Sequence, residues 1–367
     1  MICPNCSTEL KRTERTGQVC SHCRRRYALD PQVHGRGMHD LRIRRCVESL
    51  TDHGRLKVTV TQLWYRSRTR SSAWPAREAR GIRPGIRWPV VLTVCAGLLV
   101  CWALTTGIPA FLAAVGAVVV LLASRFVPYE EARGAGSWIS PSEETFRKLM
   151  TGAWQHAYGA LPAGVVNDER HTPRPTGPGP TRPRVVILCT DRATAAFLRA
   201  NDIPPRLRAV LVEAEPEVAH ETLVDIPGRL PVVVLHDASH LGALLAPLLR
   251  IEHPDRAVVD AGLPVAAVRR RAGAVHRVSP APDIDTADLR AVAGLSEADT
   301  AWLAQGFWSP IAAVPPPLLA TVVEEAVERA VTARPESAPA YGFMTWPDTD
   351  GAAADADTTG EKGTPAT

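Results

Sequence analysis

Two phosphate-binding signatures are missing. No Gly-x-x-x-x-Gly-Lys-Ser/Thr segment occurs in the 367 residues, and no Gly-x-Gly-x-x-Gly follows a candidate strand. P-loop and dinucleotide sites are therefore not expected. The N-terminus lacks an apolar h-region, so no signal peptide is expected either. Lysine is scarce: Lys11, Lys57, Lys148 and Lys362 are the only lysines among 42 basic residues. With abundant Ala and Pro, this looks like the coding bias of a bacterial gene of high G+C content, which carries no functional meaning. The eight cysteines form no disulfide framework. Four fall in a metal-ligand pattern, Cys95 and Cys101 lie inside a long apolar run, and Cys46 and Cys189 stand alone. That usage suits a reducing cytoplasm.

What is present is dominated by one stretch. Trp88 to Ser124 contains no charged residue, and Arg87 and Arg125 bracket it. As a single helix it would extend roughly 55 Å at 1.5 Å per residue, against a hydrocarbon core of about 30 Å. Thr105-Thr106-Gly107-Ile108-Pro109 breaks it, which predicts two spans, 89–105 and 109–126, within a transmembrane hairpin over 88–127. Ala110/Ala114 and Ala113/Ala117 put small residues on one face of the second arm, as close helix packing in lipid requires. Arg77, Arg80, Arg83 and Arg87 precede the first span, Arg125 and Arg133 mark the end of the second, and the turn between carries none. The positive-inside rule then predicts an integral protein of the cytoplasmic membrane with both termini in the cytoplasm.

Charge divides the same way. Residues 1–88 hold 19 Lys and Arg against 7 Asp and Glu, a net +12, and the remainder is net −8. The basic half has two readings: attraction to anionic headgroups, or a nucleic-acid partner through Arg24–Arg26 and Arg42, Arg44 and Arg45.

Cys3-Pro4-Asn5-Cys6 and Cys20-Ser21-His22-Cys23 are two CxxC knuckles. Two such pairs complete a tetrahedral thiolate site, with Cys3, Cys6, Cys20 and Cys23 as ligands and structural Zn²⁺ as the expected ion. Rubredoxin-type iron uses the same ligands. His22 reads as a knuckle filler. Over residues 1–30 the chain resembles the zinc ribbon family, which implies a closed metal site that supplies the module's folding free energy.

Between knuckles and hairpin, 31–65 reads as a small extension. Asp40 caps a helix over 41–50, and Lys57–Tyr65 alternates like a strand. Residues 66–87 read as a basic tether. Beyond the hairpin, Ser140-Pro141-Ser142-Glu143 opens an amphipathic helix within 138–160, suited to the headgroup layer or to a protein core. Residues 167–183 read as a linker.

Residues 184–332 alternate strand and helix, which predicts a Rossmann-like α/β domain with a mainly parallel sheet. The strands expected are 184–189, 208–213, 230–236 and 263–269. Helices are expected from Asp191, over 216–224, from Asp237 or Ser239, from Ser296 and over 316–332. The tail, 333–367, reads as disordered apart from Tyr341–Trp346. Ligands of such sheets bind beyond the strands' carboxyl ends, where this chain places Cys189, Asp191, Glu213, His236, Asp237 and His240. Asp191, Glu213 and Asp237 suit Mg²⁺; Cys189 and His236 suit a nucleophile and its base; His236, His240 and Asp237 suit a shared metal; all suit helix caps. In outline 184–270 resembles the Toprim family, an acid after an early strand and Asp after a later one, which implies metal-dependent nucleic-acid chemistry. Where that family has Glu and then Asp-x-Asp, this chain has Cys189-Thr190-Asp191 and Asp237-Ala238-Ser239.

The expectation is thus a multidomain membrane protein: a zinc ribbon, a two-helix transmembrane hairpin and an α/β domain. With no complete catalytic constellation, the leading function is a membrane-tethered adaptor or sensor with a protein or small-ligand partner. The alternatives are a membrane-anchored hydrolase or nuclease using Asp191 and Asp237 with Mg²⁺, and a nucleic-acid-binding regulator.

Overall fold

The computed structural model describes residues 1–35, 37–68, 84–104, 106–126, 141–170, 182–224, 226, 229–269 and 275–333. Most of the expected tether, most of the linker and nearly all of the tail, Tyr341–Trp346 included, lie outside them. The chain forms two compact units, residues 71–137 and all the rest.

After the two cysteine knuckles comes α1 (Asp40–Leu50). Asp40 was the expected cap; instead His39 Nδ1 accepts from Leu41 N. The buried Asp40 carboxylate accepts from Ala28 N at 2.8 Å, Leu29 N at 2.7 Å and the Tyr158 hydroxyl. Two backbone amides that would otherwise be orphaned explain the difference.

The expected strand 57–65 is mostly helix. Only β1 (Val58–Thr59) is extended, and α2 (Val60–Ser67) follows. Thr59 and Gln62 form a reciprocal capping box, Gln62 N to Thr59 Oγ1 at 3.1 Å and Thr59 N to Gln62 Oε1 at 3.0 Å. Val60 through Trp64 are all buried, so the apparent alternation marks no exposed face.

The smaller unit holds α3 (Pro84–Leu104) and α4 (Ile108–Phe126). Gly107 turns between them at φ 76°. Val91 and Cys95 bury against Ala117, and the Cys95 thiol donates to Ala117 O at 3.7 Å. Ala113 and Ala117 are buried, while Leu92, Leu99, Trp102, Phe111, Leu112, Val119 and Leu122 are exposed. Arg87–Leu104 is long and apolar enough to cross a membrane; the apolar stretch of α4, Ile108–Leu122, is shorter.

Beyond the hairpin the helix starts two residues later than expected, capped by Ser142, which accepts from Thr145 N. α5 (Glu143–Lys148) runs through a π-helical turn, Leu149–Trp154, into α6 (Gln155–Tyr158) and ends at Gly159 with φ 82°. Its apolar face is not free for lipid. Phe146, Met150 and Trp154 bury in one core with Ile43, Val47 and Leu50 of α1 and Leu63 and Trp64 of α2. β2 (Val165–Val166) pairs in parallel with β1. Trp64 Nε1 donates to Pro141 O at 3.0 Å. The chain thus leaves this core for the hairpin and returns to it at one point.

The α/β region begins with β3 (Val185–Cys189), α7 (Arg192–Ala200), α8 (Ile203–Arg206) and β4 (Ala209–Glu213). It continues with α9 (Ala219–Val224), β5 (Val232–Leu235), α10 (His240–Glu252), β6 (Val258–Asp260) and α11 (Val265–Arg269). The fourth strand is therefore not 263–269. The three-residue β6 precedes Gly262, and Pro264 leads into α11. A hairpin-like pair, β7 (His276–Arg277) and β8 (Phe307–Trp308), encloses α12 (Thr286–Ala293) and α13 (Glu297–Ala304). α14 (Pro316–Thr332) follows.

The sheet is parallel, in the order β4-β3-β5-β6. Alternate residues of β3 enter two cores. Val185, Ile187 and Cys189 meet Phe197 of α7 and Leu319 and Val323 of α14; Val186 and Leu188 meet Leu223 of α9 and Leu245 and Leu249 of α10. Burial on both faces explains the unbroken apolar strands. Because β3 has β4 on one side and β5 on the other, the winding reverses between β3 and β5. This is where open parallel sheets form a ligand crevice.

Candidate metal centre and the crevice at the sheet's carboxyl edge

The two knuckles share one backbone pattern. Ile2 bridges Glu9, and Val19 bridges Arg26. Ser7 N donates to Cys3 O at 3.0 Å, and Arg24 N to Cys20 O at 2.9 Å. Ser7 and Arg24 both sit at φ 58°, turning the chain after the second cysteine of each pair. Asn5 N points at Cys3 Sγ and Cys23 N at Cys20 Sγ, each at 3.4 Å.

These turns bring the four sulfurs together. Cys3 Sγ lies 3.9 Å from Cys23 Sγ, Cys6 Sγ lies 3.8 Å from Cys20 Sγ, and all four are within 4.8 Å of one another. Ligands at ~2.3 Å on a tetrahedron stand about 3.8 Å apart, so the set fits a single tetrahedral ion. The four cysteines could hold a metal ion. The thiols are electrostatically unequal. Burial pushes Cys3 up to about 12, while the Thr8 hydroxyl leads the groups that bring Cys6 down to about 5. A cation is what allows such crowded sulfurs to ionise together. His22 is exposed and lies outside the set.

At the sheet's carboxyl edge the candidates part company. Cys189 is fully buried; its thiol donates to the Asp191 backbone carbonyl at 3.2 Å, and burial pushes it well up. It is a core side chain. Asp191 caps α7 by accepting from Thr194 N at 2.6 Å. Glu213 pairs with Arg199 at 2.7 Å. His240 lies in the first turn of α10, half-buried and shifted down by burial. Asp237 accepts from Ile311 N at 2.8 Å; burial first, then the Asp191 charge, push its carboxyl up to about 7. Asp191 and Asp237 therefore stand at the ends of the two strands that flank the crevice; burial first, then the Asp168 and Glu143 charges, raise Asp191.

His236 is not a free base for Cys189. Its Nδ1 donates to the Asp237 backbone carbonyl at 2.8 Å, and its Nε2 is 3.0 Å from Asp260 Oδ1. The Asp237 carbonyl accepts, and so does the Asp260 carboxylate when ionised, an arrangement that favours the doubly protonated ring. Burial opposes that charge and the Asp260 carboxylate outweighs burial, so His236 is shifted up and Asp260 down. Among the described residues, the four cysteines alone form a group of three or more metal-ligating side chains. Asp191, Glu213 and Asp237 do not converge, nor do His236, His240 and Asp237.

Sequence reasoning missed two parts of this edge. Asp260 ends β6, hidden by the misplaced fourth strand. Tyr65 and Arg68, at the end of α2, reach across to His276: Tyr65 Oη is 3.2 Å and Arg68 Nη1 3.4 Å from its Nε2. The ring stacks on Trp308, and burial, with Arg68, takes His276 down to about 4. Burial raises the Tyr65 hydroxyl, and Glu143, Asp191 and Asp237 add to the rise. Helix α2 thus packs beside this edge, against the turn 311–313 whose Ile311 N bonds Asp237. No spacing rule would have linked residues 65 and 276.

No family model matches the chain, and neither a curated protein nor a solved structure matches it.

Proposed function

We propose that the chain is a membrane-tethered adaptor or sensor, with a structural zinc site and an α/β ligand- or partner-binding region on the cytoplasmic side. The observation that carries this reading is the core shared across the hairpin. Residues 28–64 and 146–165 bury their side chains together, and Trp64 bonds to Pro141. A single hydrophobic core cannot be divided by a bilayer. If α3 crosses, α4 must cross back, and at 19 residues α4 reaches about 28 Å. The arginine flanks favour the cytoplasmic side for both ends.

Zinc is favoured over a catalytic ion because four thiolates close its tetrahedral shell and leave no position for substrate. The buried pair of His236 and Asp260, and the structural bonds that Asp191 and Asp237 make to Thr194 N and Ile311 N, favour recognition over turnover. Alkaline carbonate extraction tests the anchoring: the chain is expected in the membrane pellet, and release into the supernatant would reject it. Titration of the full-length chain with Mg²⁺ and Mn²⁺, with Asp237→Asn as control, tests the hydrolase alternative. Heat that depends on Asp237 would favour that alternative.

A further inference from the structure

Cys46 of α1 marks a strongly basic surface. It is half-buried, and the three charges that act on its thiol are Arg42, Arg66 and Arg45. Arg42 and Arg45 lie three residues apart on α1 and so share a side of the helix. Arg66 comes from α2, which packs on α1. Arg45 and Arg66 are exposed, and neither has an ion-pair partner among the described residues. The neighbouring acid on α1, Glu48, turns to His53 at 3.7 Å.

The position of this surface decides what it meets. Arg66 lies two residues past Trp64, whose indole holds Pro141. Arg66 is the penultimate residue of α2, so the basic surface lies close to where the first connection to the hairpin begins, at residue 69. The two connections, 69–83 and 127–140, can extend no more than about 55 Å at ~3.5 Å per residue. The first also carries Arg70, Arg77, Arg80 and Arg83 toward the hairpin.

We propose that the Arg42, Arg45 and Arg66 surface docks on anionic phospholipid headgroups of the bilayer that holds the hairpin. This rests on the membrane reading above. Polyphosphate chemistry alone would also suit a nucleic acid; adjacency to the tether exit favours lipid. An arginine near an anionic surface strengthens association about five-fold, and salt screens the attraction within about 10 Å at 0.1 M.

The test uses the full-length chain in vesicles, with photoreactive benzoylphenylalanine replacing Ser49. That residue is exposed on α1, one turn past Arg45 on the same side. Lipid adducts are compared between phosphatidylcholine vesicles and vesicles that also contain phosphatidylglycerol. The expected result is an adduct yield at least about five-fold higher with the anionic lipid. High salt and the pair R45E/R66E should return it to the neutral level, and R45K/R66K should preserve it. Equal yields in the two vesicles would overturn the proposal, as would a yield that R45E/R66E leaves high. Loss of the lipid adduct to an RNA oligonucleotide at equal phosphate concentration would overturn it in favour of nucleic acid. Retention in neutral vesicles through carbonate washing reports the hairpin separately. Loss there rejects the membrane reading itself, whatever the lipid charge.

Discussion

His236 Nε2 stands 3.0 Å from Asp260 Oδ1 at the carboxyl edge of the parallel sheet, and both groups are buried. Asp260 Oδ1 also accepts from Gly262 N at 2.9 Å. Glycine is required on both sides of the ring. A Cβ on Gly262 would fall 2.1 Å from the imidazole, and one on Gly242 would fall 2.2 Å from Asp237 O and 2.7 Å from His236 Nδ1. The pair locks the ends of β5 and β6 beside the crevice and leaves no ring nitrogen for chemistry.

Asp260→Asn leaves a buried imidazolium without its counter-charge. Breaking such a pair costs about 3–5 kcal/mol, seen as a lowered denaturation midpoint. The His236 pKa is raised on folding. Its contribution is therefore fully present below the unfolded value near 6.5 and lost as pH rises through the higher folded value. Wild type and variant should converge at alkaline pH, and an undiminished gap there would contradict the charged pair. Gly262→Ala should cost about 1–3 kcal/mol through overpacking alone.

Asp237 gives a pH dependence with the same sign. Its carboxyl is held up at about 7 in the folded chain, against about 3.9 unfolded. Stability is present below the unfolded value and lost as pH rises through about 7. Asp237→Asn keeps an acceptor for Ile311 N and removes the charge. Thermal melts should show the variant gaining on wild type between about pH 4 and 7, with a plateau above. A constant offset across that window would show that the carboxyl titrates normally.

Cys3→Ser should abolish stoichiometric metal binding and unfold the knuckles, because a structural thiolate site contributes its binding free energy to folding. Cys3, Leu10 and Cys20 form a cluster separate from the core of α1, α2 and α5. Hydrogen exchange should therefore rise over residues 1–27 and change little at Ile43 and Phe146. One zinc retained per chain in this variant would refute the ligand assignment.

Phe146→Ala removes a fully buried ring, at a cost of about 3–5 kcal/mol. Since Phe146 shares its core with Ile43, Val47 and Leu63, faster exchange should appear in α1 and α2 as well as in α5. Loosening confined to residues 143–158 would mean that the two sides of the hairpin do not fold together.

Local signals proved legible where one short pattern determines the outcome. CxxC spacing found the four sulfurs, and strand–helix alternation found the parallel sheet. Asp191, Ser239 and Ser296 start helices where expected because each side chain binds an amide of its own first turn. What failed involved competition or distance. Thr59 and Gln62 turned a strand-like run into α2. Asp40 was drawn from its own helix by Ala28 and Leu29. β6 is too short to stand out beside the longer apolar run at 263–268. The His236–Asp260, Tyr65–His276 and Trp64–Pro141 contacts join residues far apart in sequence, and no period or motif announces them.

The most direct test is the sidedness of the chain. Epitope tags are placed at the N-terminus, at the C-terminus and at the Gly107 turn, and are probed in intact and permeabilised cells. Two crossings with one shared aqueous core require both terminal tags to react only after permeabilisation, and the Gly107 tag to react from outside. A terminal tag reachable on intact cells, or termini on opposite sides, would contradict it.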